Sequence, residues 1–95
     1  MDLFSPEIHY SVVGAARSGV AAANFLAKIG REVLLSDNRS EAELAPGLGG
    51  LSAGVATAFG RNEVREGDVV VISPGISPLS DTFAMCEARG AVVVS

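Results

Sequence analysis

Apolar positions change their period several times along this 95-residue chain, and each change predicts a new element. Residues 8–13 run apolar, with β-branched and aromatic members, up to Gly14, which predicts a strand. From Ser18 the period becomes helical. Gly19, Ala22, Ala23 and Leu26 fall at i, i+3, i+4 and i+7, with Phe25 and Ile29 at the edge of the stripe. Asn24, Lys28 and Arg31 fall on the other side, and Gly30 stops the helix. Residues 32–36 predict a second strand running into Asp37. Residues 38–54 are polar and glycine-rich, with a short helix expected around 41–44. A weaker third strand over 55–59 is closed by Gly60, and 64–67 reads as a turn. Asp68 leads into Val69-Val70-Val71-Ile72, the plainest strand of the chain. Two prolines and a glycine make 73–78 a loop. Ser80 is the expected N-cap, and Asp81 the favourable first-turn acid, of a helix over 81–89 that buries Phe83 and Cys86 and ends at Gly90. Residues 91–94 predict a fifth strand.

The strands read as nearly continuous apolar runs, the mark of strands buried on both faces, and they alternate with helical or loop crossovers. The expected fold is α/β: a Rossmann-like, open, parallel, five-stranded sheet with helices on both faces. Composition fits this reading. Few residues are aromatic (four Phe, one Tyr, no Trp), which suits a helix-covered sheet better than an aromatic-cored sandwich. The length allows one core, so residues 1–95 are expected to form a single domain. Because the chain ends directly after the fifth expected strand, it reads as a domain cut from something longer.

Charge and cysteine usage narrow the function. A net charge of −4 with scattered basic residues argues against a nucleic-acid surface, while leaving a small anionic ligand open. Cys86 is the sole cysteine, so it forms no internal disulfide and no cysteine-based metal site; as a helix-interior residue it reads as a small hydrophobe. No N-terminal basic-then-apolar leader occurs, and no apolar run approaches the roughly 20 residues of a membrane span. A cytoplasmic protein is expected.

Three strand ends carry the candidate chemistry, because ligands of open α/β sheets sit outside the carboxyl ends of the strands. The first is the loop 14–19. Gly14 permits a tight turn, Gly19 lets the helix pack closely, and the N–H groups of Ala16, Arg17 and Ser18 open onto a helix N-terminus suited to phosphate. The dinucleotide fingerprint would place a third glycine at Ala16, so the loop alone is equally consistent with glycines used for packing. The second is Asp37-Asn38-Arg39. Asp37 follows Gly14 by 23 positions, near the place of a ribose-binding acid, and is otherwise a solvated acid at a strand end. Arg39 stacks on a base, pairs with phosphate, or is a surface arginine. The third is Ser73-Pro74-Gly75, where Gly75 leaves room for a flat ring or simply makes a turn. Elsewhere, His9 reads as structural, and Glu63, Glu66 and Asp68 read as a solvated acidic face. One His and one Cys assemble no nucleophile–base pair, and no Walker-type Gly-Lys-Ser/Thr loop occurs.

Residues 12–23 (Val-Val-Gly-Ala-Ala-Arg-Ser-Gly-Val-Ala-Ala-Ala), 36–39 (Ser-Asp-Asn-Arg) and 71–76 (Val-Ile-Ser-Pro-Gly-Ile) together resemble the N-terminal domain of the Mur ligases, and most closely its D-glutamate-adding branch. The closing Glu-Ala-Arg-Gly-Ala-Val-Val-Val-Ser also fits that domain, so the resemblance covers nearly the whole chain. It implies a domain that binds the UDP moiety of UDP-N-acetylmuramoyl-L-alanine in an ATP-dependent, amide-forming ligase of peptidoglycan precursor synthesis. Under the resemblance, Ala16, Arg17 and Ser18 meet the diphosphate through the backbone. Asp37 and Asn38 address the uracil edge, and Arg39 and Gly75 lie against the ring or ribose. ATP, Mg2+ and D-glutamate would be handled by central and C-terminal domains, leaving this chain a substrate binder without catalytic residues, partnered by its own central domain. The departure is Ala16, where many members have Gly; sister ligases carry first loops richer still in glycine. Two other readings compete: a nicotinamide-cofactor domain of a dehydrogenase with Asp37 on the ribose, and a regulatory module that senses a nucleotide.

Overall fold

Leucine- and valine-rich runs bounded by glycine pair in parallel at the centre of the molecule. The computed structural model describes residues 8–72, 81–90 and 92–94. Its elements are β1 (His9–Val13), α1 (Arg17–Lys28), β2 (Glu32–Asp37), α2 (Glu41–Leu44), a 3-10 turn (Ala45–Gly47), β3 (Ala56–Phe59), β4 (Val69–Ile72), α3 (Asp81–Ala88) and β5 (Val92–Val94). Four parallel strands lie in the order β3-β2-β1-β4, and the three-residue β5 pairs parallel with the outer edge of β4. Val12 of β1 stands opposite Leu35 and Val71, and Val13 opposite Ser36 and Ile72.

Alternation along each strand divides the apolar side chains into two cores. On one face Tyr10, Val12, Val33, Leu35 and Val69 meet Val20, Ala23 and Leu26 of α1. On the other, Val13, Val70 and Ile72 meet Val64 and Cys86, the latter from α3, with Phe83 and Met85 packed half-buried at the margin. Helices α1 and α3 therefore cover opposite faces of the sheet. Cys86 is buried as a small hydrophobe, while Phe83 is less enclosed than its helix position promised. Phe25 and Ile29 stay at the exposed edge of α1.

Several expectations are revised. The third strand begins at Ala56, because Val55 turns into the first core ahead of it. Asn24 does more than face water: its Nδ2 donates to the Gly50 carbonyl (2.8 Å) and its Oδ1 accepts from Ser52 N–H (2.7 Å), stapling the glycine-rich segment to α1. The acidic face is not one face at all. Asp68 is 1% exposed, whereas Glu66 is exposed and Glu63 pairs with Arg61 and Arg89. Burial of Asp68 is offset at one oxygen: the Ser11 hydroxyl donates to its Oδ2, as do the Arg65 backbone N–H (3.2 Å) and Nε (3.0 Å), while Oδ1 has no partner among the described residues. Arg65 then reaches the Tyr10 carbonyl and Glu32, and Glu32 also meets His9. This chain of charges closes the amino-terminal ends of the strands, opposite the ends where β1 and β2 turn, and gives His9 its place.

Among the described residues no helix is long and apolar enough to cross a membrane. The loop 73–78, the N-cap Ser80 and Ala91 lie outside the described residues.

Candidate functional site

Where β1 ends, Gly14 takes φ +106, a conformation that side-chain-bearing residues rarely adopt. Its N–H donates to the Ser36 carbonyl (2.8 Å), which holds the turn against β2. Gly19, in the first turn of α1, packs directly on that turn: a Cβ there would lie 1.7 Å from the Gly14 carbonyl oxygen. One glycine thus makes the turn and the other lets the helix approach it. The two residues serve packing and, by the same geometry, bring a helix N-terminus to the carboxyl end of β1, inside the sheet.

Among the described residues that N-terminus is uncapped. Ala16 is the N-cap residue, with extended backbone and no side-chain acceptor for the first-turn N–H groups, and no acid occupies the first turn. The positive end of a twelve-residue helix therefore faces outward, with Arg17 and Ser18 exposed beside it.

Asp37, the last residue of β2, ties this loop to the next one. Its Oδ2 accepts from Ala15 N–H (2.8 Å) and from Arg39 Nη2 (2.8 Å). Its Oδ1 accepts from Arg39 N–H (2.9 Å) and Arg39 Nε (3.0 Å). The Arg39 guanidinium is the strongest influence on this carboxyl; with the Ala15 and Arg39 backbone donors it outweighs burial and holds the pKa down to about 2. Asp37 is 6% exposed, while about half of the Arg39 side chain remains open to water.

A cleft of about 380 Å³ opens above this clamp. Ala15, Ala16 and Val20 form one side, and Leu44 and Gly47, from α2 and the turn after it, form the other. Its charged members are Arg17, Arg39 and Glu43. Of the residues singled out in the sequence, Ala16, Arg17 and Arg39 line it. Ser18 stands exposed in the first turn of α1, and Asp37 is buried behind Arg39. Asn38 is exposed, with Oδ1 accepting from Asn62 N–H (3.1 Å). Gly75, with Ser73 and Pro74, lies outside the described residues.

The α2 wall was not anticipated. Its signal was present: Ser40-x-x-Glu43 spells a capping box, in which Glu43 N–H donates to Ser40 Oγ (3.3 Å) and Ser40 N–H donates back to Glu43 Oε1 (3.2 Å). The box starts α2 three residues after Asp37 and sets Glu43 and Leu44 over the cleft. Among the described residues no group of three His, Cys, Asp or Glu is placed to hold a metal ion.

Comparison with known proteins agrees on one family. Residues 8–95 match the family described as Mur ligase MurD-like, N-terminal domain. The UDP-N-acetylmuramoylalanine--D-glutamate ligase of Anaeromyxobacter dehalogenans is 37% identical over 86 residues, covering 87% of this chain and 19% of the ligase. The enzyme of that name from Geotalea uraniireducens is 36% identical over 99 residues, covering 100% of this chain and 21% of the ligase. That of Gloeobacter violaceus is 40% identical over 87 residues, covering 87% and 20%. This chain thus spans about a fifth of the length of the curated relatives it matches. It belongs to the MurD-like N-terminal domain family of the Mur ligases.

Proposed function

We propose that this chain binds the UDP moiety of UDP-N-acetylmuramoyl-L-alanine, as the N-terminal domain of an ATP-dependent ligase that adds D-glutamate in cytoplasmic peptidoglycan precursor synthesis. The observation that carries the reading is the meeting of an uncapped α1 N-terminus and a pre-set Arg39 on one cleft. The N–H groups at Ala16, Arg17 and Ser18 take the diphosphate, where aligned peptide dipoles favour negative charge. Arg39, already held in plane by Asp37, lies against the nucleoside. Asn38 keeps its Nδ2 for a uracil carbonyl, since its Oδ1 is committed to Asn62. Gly75, which lies outside the described residues, is assigned to the ring or ribose on the family resemblance alone.

Ala16 is exposed at the N-cap and lines the cleft. It occupies the position where a dinucleotide fingerprint needs glycine, which favours UDP over a nicotinamide cofactor. In the full-length ligase, ATP phosphorylates the substrate carboxylate and the amine of D-glutamate attacks the acyl phosphate. We assign that chemistry, with ATP and Mg2+, to the central and C-terminal domains, and substrate holding alone to this chain.

Titration calorimetry with UDP and NADH tests the reading. UDP is expected to bind and NADH to give no heat of binding. Binding of NADH without UDP would transfer the domain to the dehydrogenase reading.

A further inference from the structure

The cleft contains a carboxylate that the UDP reading does not yet use. Asp37, the acid expected to face the ligand, has its acceptor capacity filled: a carboxylate offers about four lone-pair positions, and Asp37 accepts four hydrogen bonds, from Ala15 N–H and from the N–H, Nε and Nη2 of Arg39. Any donor on a ligand would have to displace one of them. Glu43 is placed differently. It lines the same cleft as Ala16 and Arg17, and among the described residues only its Oε1 is engaged, by Ser40 N–H (3.2 Å) and Ser40 Oγ (3.1 Å). Its Oε2 accepts no hydrogen bond among the described residues. The capping box keeps Oε1 on Ser40 and leaves Oε2 as the unengaged oxygen.

We propose that Glu43 accepts hydrogen bonds from the ribose hydroxyls of the bound nucleoside diphosphate, while Asp37 is a positioning residue that acts through Arg39. The inference rests on the UDP reading and deepens it. The ribose is the part of a nucleotide next to its phosphates. A carboxylate lining the same cleft as the phosphate-binding turn is therefore in the right sector for its diol. A carboxylate placed there for repulsion alone would weaken diphosphate binding, and the two roles differ in sign.

The experiment measures affinity for UDP and for 2′,3′-dideoxy-UDP by calorimetry, in the wild-type chain and in Glu43→Gln. Glutamine at this position keeps the capping box through its amide oxygen, so α2 stays in place, while the free acceptor becomes a donor. UDP affinity is expected to fall about tenfold, the size of a lost hydrogen bond to a charged group. Affinity for the dideoxy nucleotide is expected to stay within about twofold, as for an uncoupled change. Unchanged or tighter UDP binding overturns the proposal, tighter binding marking Glu43 as a repulsive charge. An equal loss for both nucleotides also overturns it, because the effect then bypasses the ribose hydroxyls. A wild-type chain that binds neither nucleotide overturns the UDP reading itself, and this one with it.

Discussion

The Asp37 carboxylate is nearly removed from water yet stays ionised, because Arg39 and two backbone N–H groups replace the hydration it lost. Its folded pKa of about 2 lies below the usual 3.8, so the unfolded chain binds the proton more readily. The stabilisation is complete above about pH 4 and is lost as the pH falls through about 2. Linkage bounds it at about 2 kcal/mol, and the half-exposed Arg39 lowers the realised amount. Urea denaturation at a series of pH values is expected to show wild type losing this increment between pH 4 and 2, and Asp37→Asn showing no such step; identical acid profiles would dismiss the clamp. Asp37 was visible in the sequence as an acid at a strand end. Its partners were not: Ala15 N–H comes from a loop 22 positions away, and nothing local shows that the half-exposed Arg39 fork consumes the acceptor. Asp68 was misread for the same reason. Its sequence neighbours Glu63 and Glu66 are acidic, while the hydroxyl that receives it, Ser11, lies 57 positions earlier.

Among the elements, α1, β1, β2 and β4 were legible because long runs with one period leave little choice of partner face. Helix α2 is four residues long, and its role as a cleft wall depends on tertiary placement that a short pattern does not encode. The wall expected from Gly75 lies outside the described residues, so the described half of the site is the β1–β2 half. The α1 N-terminus has a consequence of its own. An N-cap alanine forgoes about 1 kcal/mol that Asp or Ser would supply there, and the backbone at Ala16 is already extended, as a capping residue requires. Ala16→Asp is therefore expected to stabilise the chain by about 1 kcal/mol in urea denaturation. The same carboxylate would occupy the first-turn N–H groups and oppose a diphosphate, so UDP affinity is expected to drop by about tenfold or more. A variant that is both more stable and an equally good UDP binder would remove the α1 N-terminus from the site.

At the scale of the whole molecule, β1 is flanked by β2 on one side and β4 on the other, so the chain leaves the sheet in opposite directions from neighbouring strand ends. The two faces are then packed by different sets of residues, and only one set underlies the cleft. Ala15, Val20 and Leu44 line the cleft and also belong to the α1-side core with Leu35, which is fully buried. Val64, equally buried, belongs to the α3-side core with Val13 and Val70. Both cores support the same sheet, so truncation on either side costs stability: about 2–5 kcal/mol for Leu35→Ala and about 2 kcal/mol for Val64→Ala, as methylene loss plus an unfilled cavity. Their effects on ligand binding should differ. A cavity at Leu35 lets α1 and α2 settle toward the sheet and misplaces both cleft walls, whereas a cavity at Val64 lies across the sheet from them. With urea denaturation to establish that each variant is folded, UDP affinity is expected to fall severalfold in Leu35→Ala and to remain within about twofold of wild type in Val64→Ala. Equal losses in the two variants would mean that the cleft is positioned by overall stability, and not by the core beneath it.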